Sequence, residues 1–161
     1  MILCGTLLLS GCTEQSTHRS YTNAVYDFSL DPPEGWQQIE NELPNIAVWF
    51  SPVNLSTASL IVEVPFMLGE GRALSTIADQ VEENLSENGM NYTILYRDWR
   101  SISNLQAYEI AYTYEQNEVE EYVKKVAVLR TQTVFLITFT APYELSSRFL
   151  TEVDQSIDSF M

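Results

Sequence analysis

The segment Val134-Phe135-Leu136-Ile137-Thr138-Phe139-Thr140-Ala141-Pro142 decides the fold. Side chains alternate along an extended chain, so Val134 and Leu136 fall on one side and Phe135, Ile137 and Phe139 on the other. Both sides are apolar, and a sheet containing this strand must therefore be covered on both faces. A two-layer fold lacks the second cover. Pro142 then opens a C-terminal helix in which Leu145, Phe149, Val153, Ile157 and Phe160 form one continuous apolar stripe, with Glu144, Arg148, Glu152 and Asp158 off it. That helix seals one face, and the other face needs a helix of its own.

The second helix is expected from about Ser75 to Asn88. Leu74, Ile77, Ala78, Val81 and Leu85 recur at three- and four-residue spacing, while Asp79, Glu82, Glu83 and Glu87 face out. Asn88-Gly89 is its stop signal. Further strands are expected at 21–30, 46–50, 58–67, 92–100, 106–116 and 120–131, with 134–140 the last. Asp31-Pro32-Pro33-Glu34-Gly35 ends the first of them and places Trp36 after the turn. Pro65 marks the third as a sheet edge or a strand end. Gln116-Asn117-Glu118 and Thr131-Gln132-Thr133 are short enough to close hairpins. The expectation is an α+β fold, a three-layer α/β/α sandwich with a mainly antiparallel sheet of about six to seven strands and at least one helix on each face.

The first twenty residues read differently. Ile2 to Leu9 is apolar apart from Cys4, Gly5 and Thr6, far short of the roughly 18–20 apolar residues of a membrane-spanning helix. Leu9-Ser10-Gly11-Cys12 resembles the lipobox of prokaryotic lipoproteins, in which the Cys is acylated and becomes the first mature residue. Polar residues Thr13 to Ser20 follow as a tether. The reading is a signal peptide at 1–11, a lipidated Cys12 with its tether at 12–21, and one domain at 22–161. No Lys or Arg precedes the apolar run, so the expected translation start lies upstream of Met1. Lipid replaces a transmembrane helix here. The expected location is the cell membrane on its extracytoplasmic face, whether periplasm, lumen or cell exterior.

Composition narrows function. With 161 residues, 45% of them hydrophobic, the chain suits a single packed domain. Its formal net charge of −14 argues against nucleic acid, whose binding is driven by Lys and Arg contacts to phosphate. The only histidine, His18, and both cysteines, Cys4 and Cys12, precede the domain. Ser-His and Cys-His nucleophile arrangements are therefore excluded from it, and so are the usual zinc and copper sites. Carboxylates remain. Glu118, Glu120 and Glu121 gather at a hairpin tip, where oxygen ligands suit a hard cation such as calcium; a solvated turn is the plainer reading of the same residues. No Asp-x-Asp-x-Asp-Gly loop supports calcium, and Gly69-Glu70-Gly71-Arg72 lacks the Gly-Lys-Ser/Thr of a phosphate loop. Tyr108, Ile110, Tyr112 and Tyr114 share one strand face, which reads as core, as does Trp36. Trp49 and Trp99 have no assigned place.

The order of elements and several local motifs resemble the PsbP family and the wider PsbP/DcrB-like fold group. Tyr26-Asp27-Phe28 with Pro33-Glu34-Gly35-Trp36 matches the family's aromatic strand and Pro-x-Gly-Trp entry. Val134 to Phe139, Ala141-Pro142 and Ser159-Phe160 match its exit. The resemblance covers about residues 22–161. It implies a lipid-anchored PsbP-like protein, and photosystem II assembly or stabilisation if the host is photosynthetic. Some photosystem-associated relatives bind metal through His and Asp, and the His has no counterpart in this domain.

The functional expectation is a non-enzymatic accessory lipoprotein that binds a membrane protein complex and carries no cofactor. The alternative is an extracytoplasmic lipoprotein that binds a small ligand or a cation, calcium being the one the resemblance allows.

Overall fold

The computed structural model describes residues 20–54, 57–70 and 72–161. The Leu9-Ser10-Gly11-Cys12 motif, Cys4 and His18 lie outside the described residues. Four long strands joined by tight turns carry the sheet: β7 (Tyr92–Ile102), β8 (Leu105–Gln116), β9 (Val119–Arg130) and β10 (Thr133–Pro142). Two-residue hairpin loops favour residues with positive φ, which Ser103 and Asn104, and again Asn117 and Glu118, adopt. Before them come β3 (Trp36–Gln38), β4 (Ile46–Pro52), β5 (Ser59–Glu63) and β6 (Phe66–Met67). The main sheet runs β3-β4-β5-β10-β9-β8-β7, with β6 beside β10. All its pairings are antiparallel. β10 is central, as its two apolar faces require.

The alternation read from β10 is realised. Phe135, Ile137 and Phe139 join a cluster with Val153, Ile157 and Phe160 of the C-terminal segment. Val134 and Leu136 pack instead with Leu74 and Ile77, at the start of helix α1 (Ser75–Glu87). Ala78 and Leu85 of α1 cover Ile110, Tyr112 and Val123. Gly89, at φ 64°, follows the C-cap Asn88, as the Asn-Gly stop signal requires. The fold is α+β, with a mainly antiparallel sheet and few helices.

Three elements differ from the sequence reading. The stretch 21–30 is a two-stranded hairpin, β1 (Tyr21–Asn23) with β2 (Phe28–Leu30), separate from the main sheet. The Asn23 side-chain oxygen accepts the backbone N–H groups of Val25 and Tyr26 at 3.0 and 3.1 Å, and Asp27 turns to φ 54°, so the chain reverses. The stretch 58–67 is interrupted at Pro65, which has no N–H for the ladder, and β5 and β6 pair separately with β10. With β3 added, the main sheet has eight strands, not six or seven.

The C-terminal helix is the third difference. β10 continues to Pro142, and two helical pieces follow, α2 (Tyr143–Ser146) and α3 (Leu150–Asp158). Leu145 and Phe149 are only partly buried, while Val153, Ile157 and Phe160 are fully enclosed. The tail is fixed by its backbone: Ser29 N–H donates to Met161 O at 3.1 Å and Met161 N–H returns to Ser29 O at 3.0 Å. Phe160 thereby stacks on Phe28 at 5.5 Å and meets Phe135 at 5.2 Å. Arg130 holds the hairpin from the sheet, donating to Tyr26 O at 3.1 Å and lying over the Phe135 ring.

Candidate functional site

The sheet face under α3 carries two charges in otherwise apolar rows. Glu109 lies between Ala107 and Ala111 on β8, and Lys124 between Tyr122 and Val126 on β9; both are buried. The register pairs Glu109 with Val126 and Lys124 with Ala111, so the two are diagonal neighbours on one face. Glu109 Oε1 accepts from the Tyr96 hydroxyl at 2.5 Å and lies 3.7 Å from Lys124 Nζ, while Oε2 accepts from Arg100. Lys124 also reaches Asp154 at 2.7 Å, and Arg100 reaches Asp158. Asp154 and Asp158 are one helical turn apart on α3, so the cluster bolts that helix to β7, β8 and β9.

This cluster is electrostatically complete. Burial alone would raise the Glu109 carboxyl; hydrogen bonds from Tyr96 and Arg100 and the nearby Lys124 and Arg100 charges overcome that and hold it below the usual carboxylate range. Burial and the Glu109 acceptor push the Tyr96 phenol well up. Glu109 and Tyr96 are both moved away from neutral pH, the opposite of what a general acid or base needs. The arrangement holds α3 in place. Sequence reasoning missed it, although opposite charges in the core-facing rows of two adjacent strands were the available signal.

The carboxylates singled out from sequence are only partly brought together. Glu118 and Glu120 line an open groove of about 300 Å³ with Glu115, Thr113 and Tyr114. Glu120 pairs across the ladder with Glu115, whereas Glu121 pairs with Tyr114 and points to the opposite face. Burial raises the Glu121 carboxyl. Among the described residues, no three of His, Cys, Asp and Glu are grouped to hold a metal ion. Glu118, at φ 65°, occupies a strained turn position at the tip.

Tyr112 is buried and Tyr108 and Tyr114 partly so, all against α1, as a core face. Trp36 packs edge-on to Phe149 at 5.6 Å and beside Phe139 at 6.4 Å. Trp49 is half-buried, and its Nε1 has no hydrogen-bond partner among the described residues. Trp99 is 47% exposed and meets Tyr108 edge-on at 4.8 Å. It belongs to β7, eleven residues long, which ends the sheet and has no second neighbouring strand among the described residues. Leu95 and Tyr96 are exposed on the same strand.

No family model matches the sequence, and no curated protein matches it. Solved structures do match by fold. The solution structure of cyanobacterial PsbP (CyanoP) from Synechocystis sp. PCC 6803 aligns with a TM-score of 0.68 at 11% identity, over 95% of this chain and 98% of that one. LpqN of Mycobacterium tuberculosis, described as involved in cell envelope biogenesis, aligns at 0.63 and 11% identity, over 84% and 82%. A point mutant of the protein Mog1 aligns at 0.63 and 10% identity, over 89% and 94%.

Proposed function

We propose that this chain, which has the fold of the PsbP-like proteins, is a non-enzymatic accessory lipoprotein, anchored through Cys12 on the extracytoplasmic face of the cell membrane, that docks onto a membrane protein complex. The observation that carries this reading is the β7 edge. It is long, unpaired on one side among the described residues, and carries exposed Leu95, Tyr96 and Trp99, while the buried charges beside it are consumed in holding α3. An edge strand with exposed aromatic side chains on both of its faces suits a protein partner, which can add backbone hydrogen bonds and apolar contact there. Photosystem II is the complex to consider if the host is photosynthetic, since the CyanoP fold is shared. The contacts of α1 and α3 with opposite sets of β10 side chains support a three-layer arrangement that leaves the sheet edges free for docking.

No helix among the described residues is long and apolar enough to cross a membrane, so anchoring rests on Cys12 in this reading. Intact-mass analysis of membrane-fraction protein tests it. A chain beginning at acylated Cys12 is the expected product. Recovery of an uncleaved chain, or of all the protein as a soluble species, would refute the anchor.

One observation favours a second reading, a lipoprotein that binds a small ligand or a calcium ion. The groove of Tyr114, Glu115, Glu118 and Glu120 is lined by a phenol and carboxylates. The groove is open, however, and its carboxylates do not converge, whereas calcium takes six to eight oxygens at about 2.3–2.6 Å. Docking through β7 is the better-supported function.

A further inference from the structure

In an antiparallel ladder the backbone N–H and C=O groups of successive residues point alternately toward the partner strand and away from it. β7 ends in a two-residue turn, with Ser103 and Asn104 at φ 48° and 66°, which makes Ile102 and Leu105 a bonded pair. By the same alternation Arg100 and Asp98 turn their backbone groups to β8, and Ser101, Trp99 and Arg97 turn theirs outward. The Trp99 N–H agrees: it donates at 2.8 Å to the side-chain carboxylate of Asp98 beside it. The register shift between Ile94 and Tyr96 ends this regular run, so the outward-facing stretch is residues 97–101.

The side chains of this stretch sort by face. Arg97 and Trp99 lie on the side of α1, where Arg97 is held by Asp79 and Glu82 and Trp99 meets Tyr108. Tyr96, Asp98 and Arg100 lie on the side of α3, where Arg100 is held by Glu109 and Asp158. Both guanidinium groups of β7 are thus neutralised within the fold. Asp98 instead keeps an exposed carboxylate, two residues from a Tyr96 ring that is 40% exposed. A strand laid against this edge has to take the Trp99 N–H, and Asp98 has to release it. The released carboxylate is then repelled by the newcomer's carbonyl oxygens unless a cation meets it.

We infer that β7 accepts an extended polypeptide segment of its docking partner along residues 97–101, with a Lys or Arg side chain of that segment taking the Asp98 carboxylate. Opposed residues of paired strands share a face, so this cation sits beside Asp98 with the Tyr96 ring on its flank, and its neighbours in the segment fall on the side of Trp99. The fitting segment therefore alternates basic with apolar residues. The net charge of −14 favours the same choice at longer range, and a second copy of this chain would bring that negative charge against itself. The inference rests on the reading of β7 as the docking edge and adds the chemistry of what docks there. Without a basic segment, Asp98 occupies the edge and guards it against indiscriminate pairing.

The test is a titration of the full chain with the peptide acetyl-Thr-Ile-Lys-Ile-Thr-amide, followed through the amide signals of Arg97, Trp99 and Ser101. The controls are the same peptide with Glu in place of Lys, and the same peptide methylated on its central backbone nitrogens. The expected result is saturation by the Lys peptide in the millimolar range, binding about fivefold or more weaker for the Glu peptide, and none for the methylated one. Asp98→Asn should cut the preference for Lys over Glu to about twofold or less. Glu83→Gln removes the same charge from the exposed face of α1 and should leave that preference unchanged. Absence of saturation by the Lys peptide, equal binding of the methylated peptide, or a preference unaffected by Asp98→Asn overturns the inference. Concentration-dependent shifts of the same amides without peptide would overturn it in favour of a second copy. Docking through β7 has a separate readout, capture of a membrane protein by a photoreactive residue placed at Trp99. If that capture persists while the peptides fail, strand addition is refuted and docking stands. If it fails while the peptides bind as expected, docking onto a membrane complex is refuted and the basic-strand site stands.

Discussion

At the scale of single residues, Glu109 and Lys124 show what burial of charge requires. Removing one member of a buried ionic cluster leaves the others desolvated, which costs about 3–5 kcal/mol when no other partner remains. Arg100 and Lys124 keep Asp158 and Asp154, so Glu109→Gln should cost the lower end, about 3 kcal/mol, in urea denaturation at pH 7. The pH dependence has a definite sign. The folded carboxyl lies below its unfolded value, so its contribution is present above the unfolded value, about 4.3, and is lost as pH falls through the lower folded value. The native protein should therefore lose stability on acidification below about pH 5, and Glu109→Gln should flatten that loss. Equal slopes in both proteins would show that Glu109 is not held as described. Glu121, raised by burial and partly exposed, acts weakly in the opposite sense.

Among the elements, those with strong periodicity and clear stop signals were legible in the sequence. The α1 stripe with Asn88-Gly89 fixed that helix to within a residue, and the alternation of β7 to β10 fixed four strands. Less legible were places where one side chain redirects the backbone. Asn23 turns a ten-residue run into a hairpin by accepting two backbone N–H groups, a local competition that apolar alternation does not register. The C-terminal stripe read as one helix because Leu145 and Phe149 fit the spacing, although the chain is not continuously helical between Ser146 and Leu150. The consequence is a different anchor. Phe160→Ala should cost about 3–5 kcal/mol, since the ring is fully buried between Phe28 and Phe135. Phe149→Ala should cost about half that or less, because its ring is partly exposed beside Trp36. Equal losses would restore a single continuous stripe. Glu121 points away from Glu120 for a related reason: neighbours along a strand face opposite ways.

For the whole molecule, charge and edge decide the behaviour. In the proposed lipoprotein reading, a formal net charge of −14 near an anionic membrane favours standing off from the surface and a partner with basic complement. If residues 13–20 act as the tether of that reading, a flexible chain of their length would reach only about 15 Å, and the proposed partner would lie close to the membrane. Complex formation should weaken as salt rises, because charges farther apart than about 8 Å are screened at physiological ionic strength. Retention of the partner unchanged from low to high salt would leave apolar contact along β7 as the whole attraction. The most direct measurement is photo-cross-linking in native membranes, with a photoreactive residue placed at Trp99 on the β7 edge or, as control, at the exposed face of α1 at Glu83. The docking account requires a discrete cross-link to one membrane protein from position 99, lost when that partner is deleted, and little or none from position 83. Cross-links equal at both positions, or none from position 99 while the protein remains membrane-bound, would contradict it.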